Sequence, residues 1–150
     1  MTTTPTLTLT GQDIGQAEKA TRAVLDRLLA RTGTGFHGWV ILNQLSAAGG
    51  VMDAAGLTSR VSHGLKIGPA DVQDALSELG GQNLVSEVSP AGGAAQVTLM
   101  PAGRARFAQL TAGIGEITQR LYGGLPAADL AVAHQVLATV TERANAELAG

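Results

Sequence analysis

The chain has 150 residues, and its 12 acidic and 10 basic side chains give a formal net charge of -2 at pH 7. A chain of this length can bury one substantial core, or half of a core that continues across a two-fold axis. The sequence contains no cysteine, which excludes disulfides, cysteine-ligated metal sites and thiol catalysis. The charge balance supplies no global basic field, so any DNA binding has to rest on local groups.

The first ten residues, MTTTPTLTLT, are rich in threonine, and we interpret them as a flexible or exchanged arm. They lack the basic start and the long apolar stretch of a signal peptide. No segment of the sequence approaches the roughly 18 apolar residues that a membrane span needs. We therefore expect a soluble cytoplasmic protein without a membrane partner.

Apolar residues at helical spacing predict four helices in the first half of the chain, separated by Gly-rich or Gly-Pro breaks. The predicted ranges are 12–31, 36–47, 52–65 and 69–79.

A strand–turn–strand pattern follows, in which strands 84–88 and 96–99 flank the turn Ser89-Pro90-Ala91-Gly92-Gly93. Pro101 then suits the first turn of a helix over 101–121, because its missing N–H costs nothing there.

The last predicted helix opens at Pro126 and carries a nearly heptad apolar stripe, which favours a partner helix. The residues of the stripe are Leu130, Ala133, Leu137, Val140, Ala144 and Leu148. The first helix carries a similar stripe. The simplest arrangement packs the terminal helices of two copies into a shared bundle, which predicts a homodimer.

The predicted order is α-α-α-α-β-β-α-α: a mainly α chain with a small β-hairpin, typical of a winged helix-turn-helix whose hairpin is the wing. We interpret residues 1–150 as a single domain. Its dimerisation helices cover about 12–31 and 101–148, and its winged helix-turn-helix lobe covers about 36–100.

Four segments in this order resemble the MarR family of winged-helix transcriptional regulators. They are FHGWVILNQL (36–45), LKIGPADVQDALSELGGQNLV (65–85), VTLMPAGRARF (97–107) and LYGGLPAADLAVAHQVLATV (121–140). The family has a Leu-Thr-Pro-x-Gly run after the wing, and this chain has Met100 in the Thr position. The resemblance implies a homodimer that offers its fourth helix to a DNA major groove and releases DNA when a small aromatic or phenolic ligand binds.

The residues of the proposed DNA face are mixed in charge. Between positions 51 and 106, five acids stand against four arginines and lysines. Asp71 and Asp74 on the fourth helix would repel phosphates, or else are solvated acids that favour the helix dipole. The predicted wing tip, Ser89 to Gln96, carries no cation, although the family usually has an arginine there.

The residues that we predict to contact DNA come from the third to fifth helices. Arg60, His63 and Lys66 are spaced as a phosphate clamp, and Arg104 is a second phosphate contact; the alternative for each is an ordinary surface charge. Ala70, Gln73 and Ser77 should face the groove, where Gln73 could bond adenine.

A ligand site is predicted from aromatic and polar residues of the second and fifth helices. These residues are Phe36, His37, Trp39, Asn43, Arg106 and Phe107. The alternatives are that Trp39 is a core residue joining platform and lobe, and that His37 is a structural hydrogen-bond donor.

Two functions follow. The first is a ligand-responsive DNA-binding regulator, most simply a repressor that reads a palindromic operator. The second is a MarR-like dimer that has lost DNA recognition and binds, sequesters or transforms a metabolite. The sequence contains no nucleophile, phosphate-loop or dinucleotide motif and no metal-ligand spacing, so we expect no enzyme activity, cofactor or metal.

Overall fold

The computed structural model describes residues 8–150. The predicted arm of residues 1–10 lies mostly outside this range. Its last residue, Thr10, is the N-cap of the first helix: its hydroxyl accepts from the Asp13 N–H, and the Asp13 carboxylate accepts from the Thr10 N–H. This reciprocal capping box satisfies two N–H groups that have no partner within the helix.

Residues 8–150 form six helices and three strands. The helices are α1 (Gly11–Ala30), α2 (Phe36–Ala47), α3 (Ala54–Leu65), α4 (Pro69–Gly81), α5 (Pro101–Tyr122) and α6 (Ala127–Ala149). The strands are β1 (Val51–Asp53), β2 (Val85–Val88) and β3 (Gln96–Leu99). The predicted fold class is confirmed, and the predicted boundaries agree with the observed ones to within about two residues.

Strand β1 is the element that the sequence analysis missed. It pairs antiparallel with β3, which also pairs with β2, so the sheet order is β1-β3-β2. The predicted third helix began at Met52, but Met52 lies opposite Val97 in the sheet, and Asp53 caps α3 by accepting from the Gly56 N–H at 2.8 Å. Three residues are too few to show a strand period. The residues of β3 that pair with them lie more than 40 positions later, so the local sequence does not show the pairing either.

The core of the winged lobe is formed by aliphatic residues from α2, α3, α4 and the sheet. Leu42 and Leu45 of α2, Leu57 of α3 and Val72 of α4 are each 0% exposed. Packing in this core therefore fixes the position of α3 relative to α4. The opposite face of each helix is exposed to solvent.

By its internal contacts the chain divides into two units, Met1–Ile117 and Thr118–Gly150. The first contains the winged lobe together with α1 and most of α5. The second contains the end of α5 and all of α6, and α6 buries none of its residues. Among residues 8–150, no helix combines the length and apolar character needed to cross a membrane.

Candidate nucleic-acid interface

Helices α3 and α4 form the helix-turn-helix of the lobe. Lys66 ends α3 in a left-handed conformation (φ 57°), and Pro69 occupies the first turn of α4. The Ser62 hydroxyl donates to the Ile67 carbonyl across the turn. A proline at this position fits the start of a helix, and the left-handed residue reverses the chain. The turn therefore sets the angle at which α4 leaves α3.

The predicted phosphate-contacting residues of α3 lie on the surface. Arg60, His63 and Lys66 are all exposed. The Lys66 ammonium donates to the His63 carbonyl at 2.9 Å, so it caps the end of α3 while its other two N–H groups remain free to donate.

The outward face of α4 presents three neutral residues and the acid Asp74. Ala70, Gln73 and Ser77 are exposed, while Val72 and Leu76 point into the core, as the sequence predicted. The Gln73 carboxamide donates from Nε2 to Thr58 Oγ1 on α3 at 3.2 Å. Both residues line a groove between α3 and α4, so the Gln73 carboxamide lies at the edge of the helix-turn-helix.

Two of the three acidic residues of α4 lie at the edge of its outward face. Asp71, Asp74 and Glu78 line a cleft of about 500 Å³ against α1 and the start of α2. Asp71 and Glu78 are seven residues apart, which is close to two helical turns, so they share one edge. Asp74 lies four residues after Ala70 and three before Ser77, so its carboxylate stands on the outward face itself.

The other wall of this cleft contains one cation and two rings. Arg22 of α1 lies over the Phe36 ring, with its guanidinium carbon 3.2 Å from the ring centroid, and its Nε is 3.5 Å from an Asp26 carboxylate oxygen. His37 also lines the cleft. A phenolic hydroxyl could donate to the carboxylates here while its ring meets Phe36. Among residues 8–150, no group of carboxylates and histidines is arranged to hold a metal ion.

Only part of the predicted ligand set comes together. The Phe36 ring lies 6.3 Å from His37 and 5.9 Å from Trp39, measured between centroids. The Trp39 indole N–H is buried and has no hydrogen-bond acceptor within residues 8–150. Asn43 is exposed, and Phe107 packs against the core of the lobe.

Arg106 is engaged in a clasp between three parts of the lobe. Its guanidinium donates to Thr34 Oγ1 at 2.8 Å and to Gln82 Oε1 at 3.2 Å, and the Gln82 amide donates to the Gly33 carbonyl at 3.3 Å. Thr34 is only 5% exposed. The clasp therefore joins the α1–α2 turn, the end of α4 and α5.

The remaining predicted cation, Arg104, lies near the sheet. Its guanidinium packs on Gly50, where a Cβ would come within 2.8 Å of Nη2. The wing strands β2 and β3 end in an exposed tip with no basic side chain between Ser89 and Gln96. Arg104 is therefore the basic residue nearest in sequence to the wing.

The sequence analysis missed several residues of these sites, among them Arg22, Thr34, Thr58 and Gln82. Arg22 could have been noticed from its spacing of four residues from both Glu18 and Asp26, which form ion pairs with it. The other three, Thr34, Thr58 and Gln82, each form a hydrogen bond with a residue 15 or more positions away, and no local pattern indicates these contacts.

No protein-family model matches the chain, and no curated protein matches it. Solved structures do match. A MarR family transcriptional regulator from Silicibacter pomeroyi is 15% identical, with a TM-score of 0.76 over 90% of this chain and 88% of that one.

Two further matches are regulators whose structures concern DNA binding. Bordetella bronchiseptica BpsR, whose structure concerns regulation of DNA binding by 6-hydroxynicotinic acid, is 21% identical with a TM-score of 0.72 over 89% of this chain and 94% of that one. A mutant MarR from E. coli complexed with operator DNA is 18% identical with a TM-score of 0.72 over 87% of this chain and 91% of that one.

The chain thus has the winged-helix fold of MarR family transcriptional regulators, and the resemblance predicted from its sequence is confirmed by these structural matches.

Proposed function

We propose that the protein is a sequence-specific DNA-binding regulator of transcription that acts in the cytoplasm and has no enzymatic activity. The observation that carries this proposal is the outward face of α4, where Ala70, Gln73 and Ser77 are exposed beside one carboxylate, Asp74, while Asp71 and Glu78 lie at the edge toward the neighbouring cleft. A helix with small and amide side chains at its centre can enter a major groove and bond base edges. The fold match to a MarR bound to operator DNA supports the same use of this face.

In this proposal, the basic residues on either side of α4 contact the phosphates of the DNA. Arg60, His63 and Lys66 are exposed at the end of α3, and Arg104 is exposed at the start of α5. Contacts of this kind fix the register of a protein on the duplex without reading its sequence. Because so few cations contribute, we expect weak non-specific binding and a shallow dependence on salt.

The proposed operator is a palindrome because the proposed regulator is a homodimer. Large apolar residues of the predicted stripe on α6 are exposed, including Leu137 at 44% and Leu148 at 72%. An apolar helix face of this kind is stabilised when a second copy covers it. Two copies related by a two-fold axis would present two α4 helices to successive major grooves, and so read an inverted repeat.

We further propose that a small aromatic or phenolic effector releases the DNA by binding at the cleft beside α4. The cleft brings Phe36 and His37 next to three carboxylates of the reading helix, so an occupant would contact α4 directly. BpsR, which shares the fold, is regulated by a hydroxylated aromatic acid.

The test is selection of bound fragments from genomic DNA by the purified protein at two salt concentrations. We expect enrichment of one inverted repeat whose recovery falls as salt rises. Arg60→Ala and Lys66→Ala should weaken binding to all sequences alike, whereas Gln73→Ala should change the preferred sequence. Unchanged affinity in all three variants would show that α3 and α4 are not the DNA-binding face.

The second candidate function is a MarR-like protein that has lost DNA recognition and binds or transforms a metabolite. The observation in its favour is the excess of acids over cations between residues 51 and 106, together with the wing tip that lacks a cation. A protein that recovers no DNA fragment even at low salt would fit this candidate and exclude the first.

A further inference from the structure

Asp74 lies near the middle of the outward face of α4. Successive residues of an α-helix turn by about 100°, so Ala70, Asp74 and Ser77 fall within about 60° of one another around the helix axis. All three are exposed, and they lie opposite Val72 and Leu79, which are buried in the core of the lobe. Asp74 is therefore the charged residue of α4 nearest to the middle of the surface that the proposed function directs into the major groove.

The Asp74 carboxylate forms no ion pair within the described part of the chain. Both ion pairs found among residues 8–150 belong to Arg22, which meets Glu18 and Asp26. α4 itself contains no arginine or lysine. A carboxylate that enters a groove gives up water, and it has to accept hydrogen bonds from the DNA in exchange, because an unpaired charge removed from water is costly.

We propose that Asp74 is a specificity-determining residue that reads cytosine, an inference that rests on the proposed DNA-binding function. An ionised carboxylate only accepts hydrogen bonds, whichever of its two oxygens faces the base. In the major groove, cytosine presents its N4–H donor and no acceptor. Adenine places the N7 acceptor beside its N6–H donor, and guanine and thymine present only acceptors, which repel a carboxylate. Cytosine is therefore the base whose edge matches Asp74 best.

The position of Asp74 on the helix also keeps its charge away from the phosphates. The major groove is about 12 Å wide, so the middle of an inserted helix meets base edges while its sides meet the two backbones. The exposed cations proposed for phosphate contacts lie on other elements, Arg60 and Lys66 on or next to α3 and Arg104 on α5. One hydrogen bond to a charged group should favour cytosine over thymine by about tenfold or more per half-site.

The experiment uses the full chain. Selection from a duplex pool with randomised positions first defines the preferred site, and the expected result is an inverted repeat with a cytosine in each half-site. The same selection with Asp74 variants identifies the position that responds to this residue. Competition binding then compares duplexes that differ only there, with C·G, T·A, A·T or G·C. The wild-type protein should bind the C·G duplex about tenfold or more tightly than the T·A duplex, in which the acceptor O4 replaces the N4–H donor.

Three variants separate a base contact from a general effect of charge. Asp74→Asn keeps the shape of the side chain and, because an asparagine bonds adenine through N6 and N7, should exchange cytosine for adenine at one position of each half-site. Asp74→Ala should lower the preference for cytosine at that position by about tenfold. Glu78→Gln removes the same charge from an exposed position at the edge of α4. This matched control should strengthen binding to all sequences alike and retain the cytosine.

Enrichment and base preference report separately on the DNA-binding function and on Asp74. A wild-type protein that enriches no sequence would overturn the function and this inference together. A wild-type protein that enriches a site, while both Asp74 variants keep every base preference, would overturn the role of Asp74 alone. Loss of the same cytosine in Glu78→Gln would do so too, since the preference would then follow the net charge of α4 and not a contact made by Asp74.

Discussion

Gly103 shows how a single missing side chain positions the helix that follows the wing. It is buried in the first turn of α5, where an added Cβ would overlap the Leu84 carbonyl oxygen and come within 2.7 Å of Leu99 Cδ1. The Leu84 carbonyl is already occupied, since it accepts from the Met100 N–H at 2.9 Å. The Pro-Ala-Gly sequence at the start of α5 thus lets that helix approach the backbone next to β2.

We expect Gly103→Ala to destabilise the protein by about 1–3 kcal/mol, because the backbone carbonyl cannot move aside without breaking its hydrogen bond. Gly115→Ala is the matched control in the same helix, since nothing lies within 4 Å of its added Cβ. That change should stabilise the helix by about 0.5–1 kcal/mol. Urea unfolding at one fixed protein concentration measures both, and equal effects would show that α5 does not pack closely at Gly103.

At the scale of elements, the Arg106 clasp ties the C-terminal end of α4 to α5 and to the α1–α2 turn. Gln82 is the C-cap of α4, and its side chain is held by Arg106 of α5 and by the Gly33 carbonyl in the α1–α2 turn. The far end of α4 is therefore tied to elements outside the helix-turn-helix. Arg106, which the sequence analysis predicted as a ligand contact, donates two hydrogen bonds to this connection.

Arg106→Met should lower the free energy of unfolding by about 1.5–3 kcal/mol, the cost of losing hydrogen bonds to a charged group while Thr34 stays buried. The methionine retains most of the apolar stem, so the loss reports on the guanidinium. Arg27→Met, at an exposed position of α1, is the control and should change stability by less than about 0.5 kcal/mol. A loss of similar size in both variants would contradict the clasp.

At the scale of the whole molecule, α6 is a helix whose large apolar side chains are exposed. It has no buried residue, and Leu137 and Val140 of the predicted stripe are 44% and 43% exposed. The helix begins after Pro126 and runs to Ala149, so its apolar side chains are presented along its full length. A second copy of the chain is the partner that the proposed palindrome requires.

We expect sedimentation to give a mass of two 15.2 kDa chains for the wild-type protein. Leu137→Lys should convert it to a monomer, because burying an unpaired ammonium in an apolar seam costs several kcal/mol. Gln135→Lys adds the same charge at an exposed polar position of α6 and should leave the dimer intact. A monomeric wild-type protein, or a dimer that survives Leu137→Lys, would exclude this interface.

The sequence by itself determined the helices, the hairpin and the outward residues of α4, because each depends on a repeating pattern or on a turn within a few residues. Val72, Leu76 and Leu79 were predicted to be buried from their spacing alone, and they are. The start of α5 was likewise predicted from the local Pro-x-Gly sequence.

Only the tertiary structure decided strand β1, the clasp role of Arg106 and the pairing of Gln73 with Thr58. It also decided that the α4 carboxylates border a cleft with Arg22. Each of these features depends on partners 15 to 72 residues apart in the chain, as the hydrogen bonds of Gln73 and Arg106 illustrate. Local periodicity records which face of a helix is apolar. It does not record which neighbour the polar side chains will meet, because packing of distant segments determines that.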